Sequence, residues 1–386
     1  MDSPIKTKFL VLSDTHCIGN EKFNVPDVPV DVAIHCGDLT EGSRLLEFRT
    51  ALDIMRQVNA PLKLIIAGNH DFTLDPPTFL RKKASGQGIF KGSPIVIDKH
   101  YGTHEAATSL LHSASSENII FLDEGTHTFA LSNGALLTVY ASPYSPSRSN
   151  DKAFTYSRIE GHQFSIPSGV DVAITHSPPR GILDNDYSKK QAGCDWIYKA
   201  IAKAKPRMHC FGHIHEGWGA KLIGWREDDK DSDIPGGIDG QRSFRVESLS
   251  TLFRSKKDNQ GEANAKAAKL QRLRNIGYAK TSHCAGDRHP IELGRNTLCV
   301  NAAIQPYGRG KHKQQPWVVE MELPAAKERV ESKEAAAVEH VGENNQDSVE
   351  ERCVDVVEEV SCLTTTVRGM DELSNTMARL SIKSAC

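Results

Sequence analysis

The chain has 386 residues, and its 47 Lys and Arg against 49 Asp and Glu leave a formal net charge of −2, a balance that excludes a globally basic nucleic-acid binder and a globally acidic protein. Apolar residues make up 39% before the 29 glycines are counted, enough for a sizeable core, and no apolar run nears the ~20 residues of a membrane span. The nine cysteines are odd in number and form no C-x-x-C pair, which speaks against a disulfide framework or zinc knuckle; with no apolar signal region after Met1, the expectation is a soluble, cytoplasmic protein.

Residues 1–224 read as alternating short strands and amphipathic helices. The strand Phe9–Leu12 runs into Asp14-Thr15-His16, and Val32–His35 runs into Gly37-Asp38. Ser43–Val58 carries Leu45, Leu46, Phe48, Leu52, Ile54 and Met55 at helical spacing. Leu64–Ala67 precedes Gly68-Asn69-His70-Asp71, Leu136–Tyr140 is a further strand, and Val170–Thr175 leads to His176. A helix over Gly193–Ala204 stops before Pro206, and the strand Met208–Phe211 leads to Gly212-His213-Ile214-His215. Residues 225–293 change character and read as a charged, partly flexible insertion. Eight basic residues oppose two acidic ones between Arg254 and Lys280, and a basic helix over Ala263–Asn275 would be capped by Gly277. Strands return at Thr297–Val300 and Trp317–Glu322. The predicted organisation is a folded domain over 1–324 and an acidic, mostly disordered tail over 325–386, with a short helix near Asp371–Leu380.

Five polar clusters at the ends of five strands converge on one sheet edge, the usual ligand crevice of open α/β sheets. Their residue types suit a two-metal centre. Asp14 and His16, two apart, point to one side of an extended segment, as do His213 and His215. Asp38 offers two oxygens for bridging, and Asn69 a neutral carbonyl. A mixed N/O set without thiolate suits two divalent transition metal ions, Mn2+ foremost and Fe or Zn as alternatives. Two such ions ~3.5–4 Å apart can lower the pKa of a bridging water and clamp both sides of an in-line phosphoryl displacement. His70 stands where a proton donor to a leaving alkoxide is needed, with Asp71 as its orienting partner. Trp218 is a candidate for stacking on a base, and Arg180 and Arg44 for meeting a phosphate. His35, His104, His127 and His162 follow no ligand pattern and read as structural.

D-x-H, G-D, G-N-H-D, T-H and G-H-x-H in this order resemble the calcineurin-like metallophosphoesterase superfamily over about 8–224 and again over 296–323. The group of metallophosphoesterase-domain-containing class III phosphodiesterases is similar at Gly37–Gly42, Thr175–Asp184, Gly212–Gly219 and Asn301-Ala302-Ala303. The resemblance implies a four-layered αββα sandwich of α/β class. It implies that Asp14, His16, Asp38 and His215 hold one metal, that Asp38, Asn69, His176 and His213 hold the second, and that His70 is the acid. Some animal members of that group carry Gly at the first His of G-H-x-H; His213 is kept here, so a competent dinuclear centre is expected. The expected activity is hydrolysis of a small phosphoester, a cyclic nucleotide or similar diester, with no nucleic acid as partner. Ser/Thr protein phosphatases read G-D-x-V-D-R-G and later G-N-H-E, whereas the segments here are Gly37-Asp38-Leu39-Thr40-Glu41-Gly42-Ser43 and Gly68-Asn69-His70-Asp71, which argues against that activity. Few cationic clamps stand near the motifs, which favours a diester over a phosphomonoester dianion. A phosphomonoesterase or nuclease of the same fold, or a non-catalytic metal- or nucleotide-binding module, is the alternative.

Overall fold

The computed structural model describes residues 3–17, 23–85, 99–103, 105–148, 151–227, 237–306 and 313–326. From residue 327 on, the expected tail and its short helix lie outside the described residues, as does His104. In chain order the elements are β1 (Ile5–Leu12), β2 (Val32–His35), α1 (Leu45–Gln57), β3 (Leu62–Ile65), α2 (Pro76–Ser85), α3 (Ala106–Ser113), β4 (Ile119–Phe121), β5 (Gly125–Ala130) and β6 (Leu136–Ser142). They continue as β7 (Ser145–Ser147), β8 (Thr155–Ser157), β9 (Val172–Thr175), α4 (Asp195–Ala204), β10 (Met208–Phe211), β11 (Gly219–Trp225) and β12 (Ile238–Ser248). Then follow α5 (Leu249–Leu252), α6 (Gln260–Ile276), β13 (Ala279–Ser282), β14 (Asn296–Asn301) and β15 (Trp317–Leu323).

Among the described residues two large sheets result, a six-stranded one ordered β13-β15-β1-β2-β3-β4 and a seven-stranded one ordered β12-β11-β14-β10-β9-β6-β5, in addition to the two-stranded pair β7-β8. In the first, β1, β2, β3 and β4 run parallel; in the second, β6, β9, β10 and β14 do. Parallel strands buried on both faces need continuous apolar runs, and Val32–His35, Val172–Thr175 and Met208–Phe211 are buried at every position. The period-2 alternation sorts the side chains into layers. Phe9, Val11, Val32 and Ile34 meet Leu137, Val139, Val172 and Ile174 in a core between the sheets. Leu10, Leu12, Ala33 and Ile65 face the other way, against Phe48 and Leu52 of α1 and Leu111 of α3. Ala173, Phe211 and Cys299 pack on Ile197 and Ile201 of α4. The architecture is therefore helix, sheet, sheet, helix, each fully buried aliphatic or aromatic side chain contributing ~1.5–3 kcal/mol.

Of the strands not foreseen, β4, β5, β12 and β13 are edges and β7 and β8 short pieces, whereas β11 is a buried interior strand between β12 and β14. β5 alternates half-buried and exposed residues, and β12, largely polar, pairs with β11 through two register shifts; neither shows the apolar signal of a central strand. Both β12 and β13 fall within 225–293, so the described part of that stretch adds an edge to each sheet. Between them, α6 starts three residues earlier than expected, because Asn259 supplies a cap. Its side chain accepts from the Glu262 amide at 2.9 Å, and the Glu262 carboxylate accepts from the Asn259 amide at 2.9 Å. Gly277, at φ 85°, closes the helix as expected. Lys266 pairs with Asp258 at 2.9 Å and Lys269 with Glu247 at 2.6 Å, so this basic helix is partly neutralised from its own surroundings.

The sheets are joined at the end that carries the motifs. The chain leaving β14 donates from Ala302 to the Phe211 carbonyl and from Ile304 to the Ser13 carbonyl, both at 2.9 Å, and Ala303 bridges Ser13. Contacts with the core continue past the expected boundary at 324, because Ala325 bridges Ala135 and the Ala326 amide donates to the Gly134 carbonyl at 3.0 Å. No helix among the described residues is long and apolar enough to cross a membrane.

Candidate metal centre

Each of the five clusters lies at the carboxyl end of a parallel strand, but β1, β2 and β3 come from one sheet and β9 and β10 from the other, so the clusters meet where two sheets adjoin and not on the one sheet edge expected. The loops turn sharply. Asp14, His16, Asp38 and His213 all have left-handed backbones, with φ of 54°, 45°, 53° and 65°. Such geometry costs a non-glycine residue roughly 1–2 kcal/mol, and loop-to-loop bonds hold it. The Asp14 amide donates to the Gly37 carbonyl at 2.9 Å and the His16 amide to the Asp38 carbonyl at 3.1 Å. Gly68 has no alternative, since a Cβ there would collide with the amide and carboxylate of Asp38.

These turns bring all seven proposed ligands together. Asp14, His16 and His215 place one potential ligand atom each within 4.8 Å of one another, as do Asp38, His176 and His213, and also His16, Asp38 and His70. Asp38 stands between the sets, with Oδ2 3.6 Å from His16 Nε2 and Oδ1 3.4 Å from His176 Nε2. Asn69 Oδ1 lies 3.0 Å from His176 Nε2, and Asp14 Oδ1 3.2 Å from His215 Nε2. The His213 amide donates to both Asp14 oxygens, at 3.1 and 2.9 Å. The arrangement fits divalent transition-metal ions. His16 Nε2 is buried without a hydrogen-bond partner while facing two carboxylates. His176 donates from Nδ1 to the Cys36 carbonyl at 2.9 Å, which turns Nε2 toward the centre, the usual way a second partner fixes a ligand tautomer.

The electrostatics are those of a cation site. Burial opposes the charged forms of Asp14 and Asp38, yet the His215 hydrogen bond and the charge of His176 respectively prevail, and both carboxylates sit below their ordinary range. Burial likewise opposes charge on His16 and His176, but carboxylate neighbours raise each to about 9; burial, reinforced by His176, lowers His213 to about 3. A metal ion taken up by these imidazoles would have to displace the protons that their carboxylate neighbours favour.

His70 is held from three sides. Its amide donates to Asp38 Oδ1 at 2.8 Å, its Nδ1 donates to the Glu41 carbonyl at 2.9 Å, and the Lys152 ammonium lies 2.8 Å from Nε2. Burial lowers its pKa. Lys152 is positioned by its neighbour Ala153, whose amide donates to the Asn69 carbonyl at 3.1 Å. Nothing in the sequence marks Lys152, 82 residues away, and the Glu41 contribution is a backbone atom that carries no residue signature.

Three expectations need correction. Asp71 does not orient the His70 ring. Buried, it accepts amide hydrogens from Leu39, Thr40 and Gly68 at 3.1, 2.9 and 2.8 Å and the Thr40 hydroxyl at 2.7 Å, and so ties the second loop to the third. Burial and the nearby Asp38 raise it to about 7. Trp218 is not available to stack on a base: it is 1% exposed, stacks on Trp317 at 5.1 Å and donates to the Gln315 carbonyl. Arg44 caps α1 and reaches Tyr101 rather than the centre. Arg180 pairs with Asp195 at 3.3 Å on the surface while lining a groove beside the centre. His35 is structural, bonded to the Thr15 hydroxyl at 2.9 Å. Asp71→Ala is expected to leave three buried amides unpaired at ~1–3 kcal/mol each, lowering the melting temperature by several degrees and the bound metal with it. Metal content and a melt of the purified variant check this; an unchanged melt counts against the clamp.

The centre opens into a cleft of about 430 Å3 lined by His16, Asp38, Glu41, Asn69, His70, His213, His215, Gln305 and Pro306. A family model described as calcineurin-like phosphoesterase matches residues 7–217. UPF0046 protein T07D4.2 of Caenorhabditis elegans is 30% identical over 236 residues, covering 58% of this chain and 56% of that protein. Human Metallophosphoesterase domain-containing protein 1 is 31% identical over 229 residues, 57% of this chain and 64% of that one. The chain thus spans between half and two thirds of the length of these two curated relatives. Among solved structures, TT1561 of Thermus thermophilus aligns at 13% identity with a TM-score of 0.33 over 56% of this chain and 84% of that one.

Proposed function

The chain belongs to the calcineurin-like phosphoesterase family, and from that premise we propose that it hydrolyses small phosphodiesters, cyclic nucleotides or similar, with two divalent ions held by Asp14, His16, Asp38, Asn69, His176, His213 and His215. Manganese is the foremost candidate, since the donor set mixes imidazole and oxygen without thiolate. The observation that carries this reading is the division of the two Asp38 oxygens between the His16 and His176 sides. Ions bound there supply Lewis-acid polarisation of the phosphate and an acidified water near neutral pH.

The chain's own residues do the rest. The Glu41 carbonyl keeps the His70 proton on Nδ1 in the resting site. For His70 to protonate a leaving oxygen, Nε2 must first carry a proton, and Lys152 is the donor at hand. Asp71 holds the loops of Asp38 and His70 in register.

A scarcity of cations no longer favours a diester, because Lys152 and several arginines stand beside the centre. Those cations are the specific observation behind a second reading, a phosphomonoesterase. Metal-stripped protein reconstituted with Mn2+ is expected to hydrolyse bis(p-nitrophenyl) phosphate well above p-nitrophenyl phosphate, and 3′,5′- and 2′,3′-cyclic AMP assayed alongside start to place the substrate. Faster monoester turnover supports the second reading. Metal retained without any turnover supports a binding module.

A further inference from the structure

We infer that the substrate carries a second phosphate beyond the one being cleaved, and that this group is held in a basic groove opening from the metal centre; the inference rests on the phosphodiesterase reading above. The groove, about 660 Å3, shares Asn69 and His213 with the centre. Its walls present Arg148, Lys152, Arg158, Arg180 and Lys190, opposed by the single carboxylate Asp186. A chain whose overall charge is −2 thus concentrates positive charge beside a site for phosphoesters, and a groove of one sign focuses its field on an incoming anion.

The cations are not consumed by the fold to the same degree. Arg180 is engaged with Asp195. Arg158 donates to the Ala192 and Gly193 carbonyls at 2.6 and 3.0 Å, which pins one wall to the other. Arg148 and Lys190 have no ion-pair partner among the described residues. They line the groove from separate segments. Arg148 follows β7, which pairs with β8 at Ser145–Thr155 and Ser147–Ser157. Lys190 lies on the loop between β9 and α4, closed by bridges of Pro179 with Cys194 and Asn185 with Gln191. The Lys190 amide donates to Asp186 Oδ1 at 3.0 Å, and Asp184 Oδ2 takes the amides of Gly181 and Gly193 at 2.9 and 3.0 Å. Both walls are tied down by pairing within the protein itself, which lowers the ordering cost of binding.

Exposed cations are individually weak partners. A phosphate held by two or three at once through charge-assisted bonds gains about tenfold. Two thymidine dinucleotides with the same internal diester, one bearing a terminal phosphate at its 5′ or 3′ end and one without, isolate the effect. Wild-type, Mn2+-loaded full-length protein is expected to show kcat/KM about tenfold higher for the phosphorylated compound at low salt, and the preference should shrink as salt rises. In the double variant Arg148→Gln with Lys190→Gln the preference should fall to about twofold or less, while bis(p-nitrophenyl) phosphate is hydrolysed as by wild type. Equal kcat/KM for the two dinucleotides in wild type, or a preference that survives in the double variant, overturns the inference. Should no diester be turned over, the phosphodiesterase reading fails by itself. The dinucleotides are then stable ligands, and calorimetric titration decides the groove separately: about tenfold tighter binding of the phosphorylated one upholds it, and equal binding overturns it.

Discussion

Asp38→Asn is expected to lower bound metal from the two ions proposed per chain to one or none and turnover by on the order of 10³-fold, about 4 kcal/mol of barrier. The substitution preserves size and one oxygen acceptor, so the Asp38-side hydrogen bond from the His70 amide can persist. What disappears is the negative charge between His16 Nε2 and His176 Nε2. Asp38 is the first attractive charge acting on His176 and a major one on His16, so both imidazoles should titrate at lower pH in the metal-free variant. The sign follows directly: each raised histidine stabilises the metal-free fold below its unfolded pKa near 6.5, and that stabilisation fades as pH rises through about 9. With Asn at 38 the fading begins earlier. Elemental analysis of metal per chain, together with turnover, checks the main effect. Two ions retained with near wild-type rates would remove Asp38 from the bridging position.

His70→Ala should behave in the opposite way, keeping the metal and losing turnover by ~10²–10⁴. The contact between residue 70 and Asp38 is made by the backbone amide and survives the change. The ring loses its bond to the Glu41 carbonyl and its edge contact with His16 at 4.7 Å, neither of which holds a carboxylate in place. The loss should depend on the leaving group. An alkoxide needs a proton and should show the full effect, whereas p-nitrophenolate leaves without one and should show far less. A uniform loss across leaving groups would assign His70 to substrate positioning instead of proton transfer.

Much of the architecture was legible because parallel strands buried on both faces leave apolar runs such as Val32–His35 and Met208–Phe211. Polar edges such as β5 and β12 leave none. The metal-competent residues were legible for a related reason: each follows at once on a strand and so sits at a strand's carboxyl end, although the five ends belong to two sheets rather than to the single sheet edge expected. The environment of those residues was not. Asp71 sits beside His70 in sequence, but its carboxylate turns into the protein toward the Leu39 and Thr40 amides. Trp218 follows a candidate ligand by three positions and is already part of the core, against Trp317. Lys152 reaches His70 only because the chain folds back so that Ala153 meets Asn69. Adjacency predicts a shared neighbourhood; it does not predict which way a side chain faces.

The crossing from β14 to Ser13 also has a temporal meaning. The motif residues are complete by His215, yet Ile304 and Ala303 secure the first loop, Gln305 and Pro306 wall the cleft, and β15 covers the outer edge of β1 along seven paired positions from Ile5↔Leu323 to Val11↔Trp317. A growing polypeptide that has emerged only through the last ligand therefore carries every chemical group of the centre on an unfinished scaffold, with the β1 edge open to wrong partners. Joining strands so far apart in sequence is slow. The finished geometry of the centre therefore has to wait for β15, the last strand among the described residues, to be delivered.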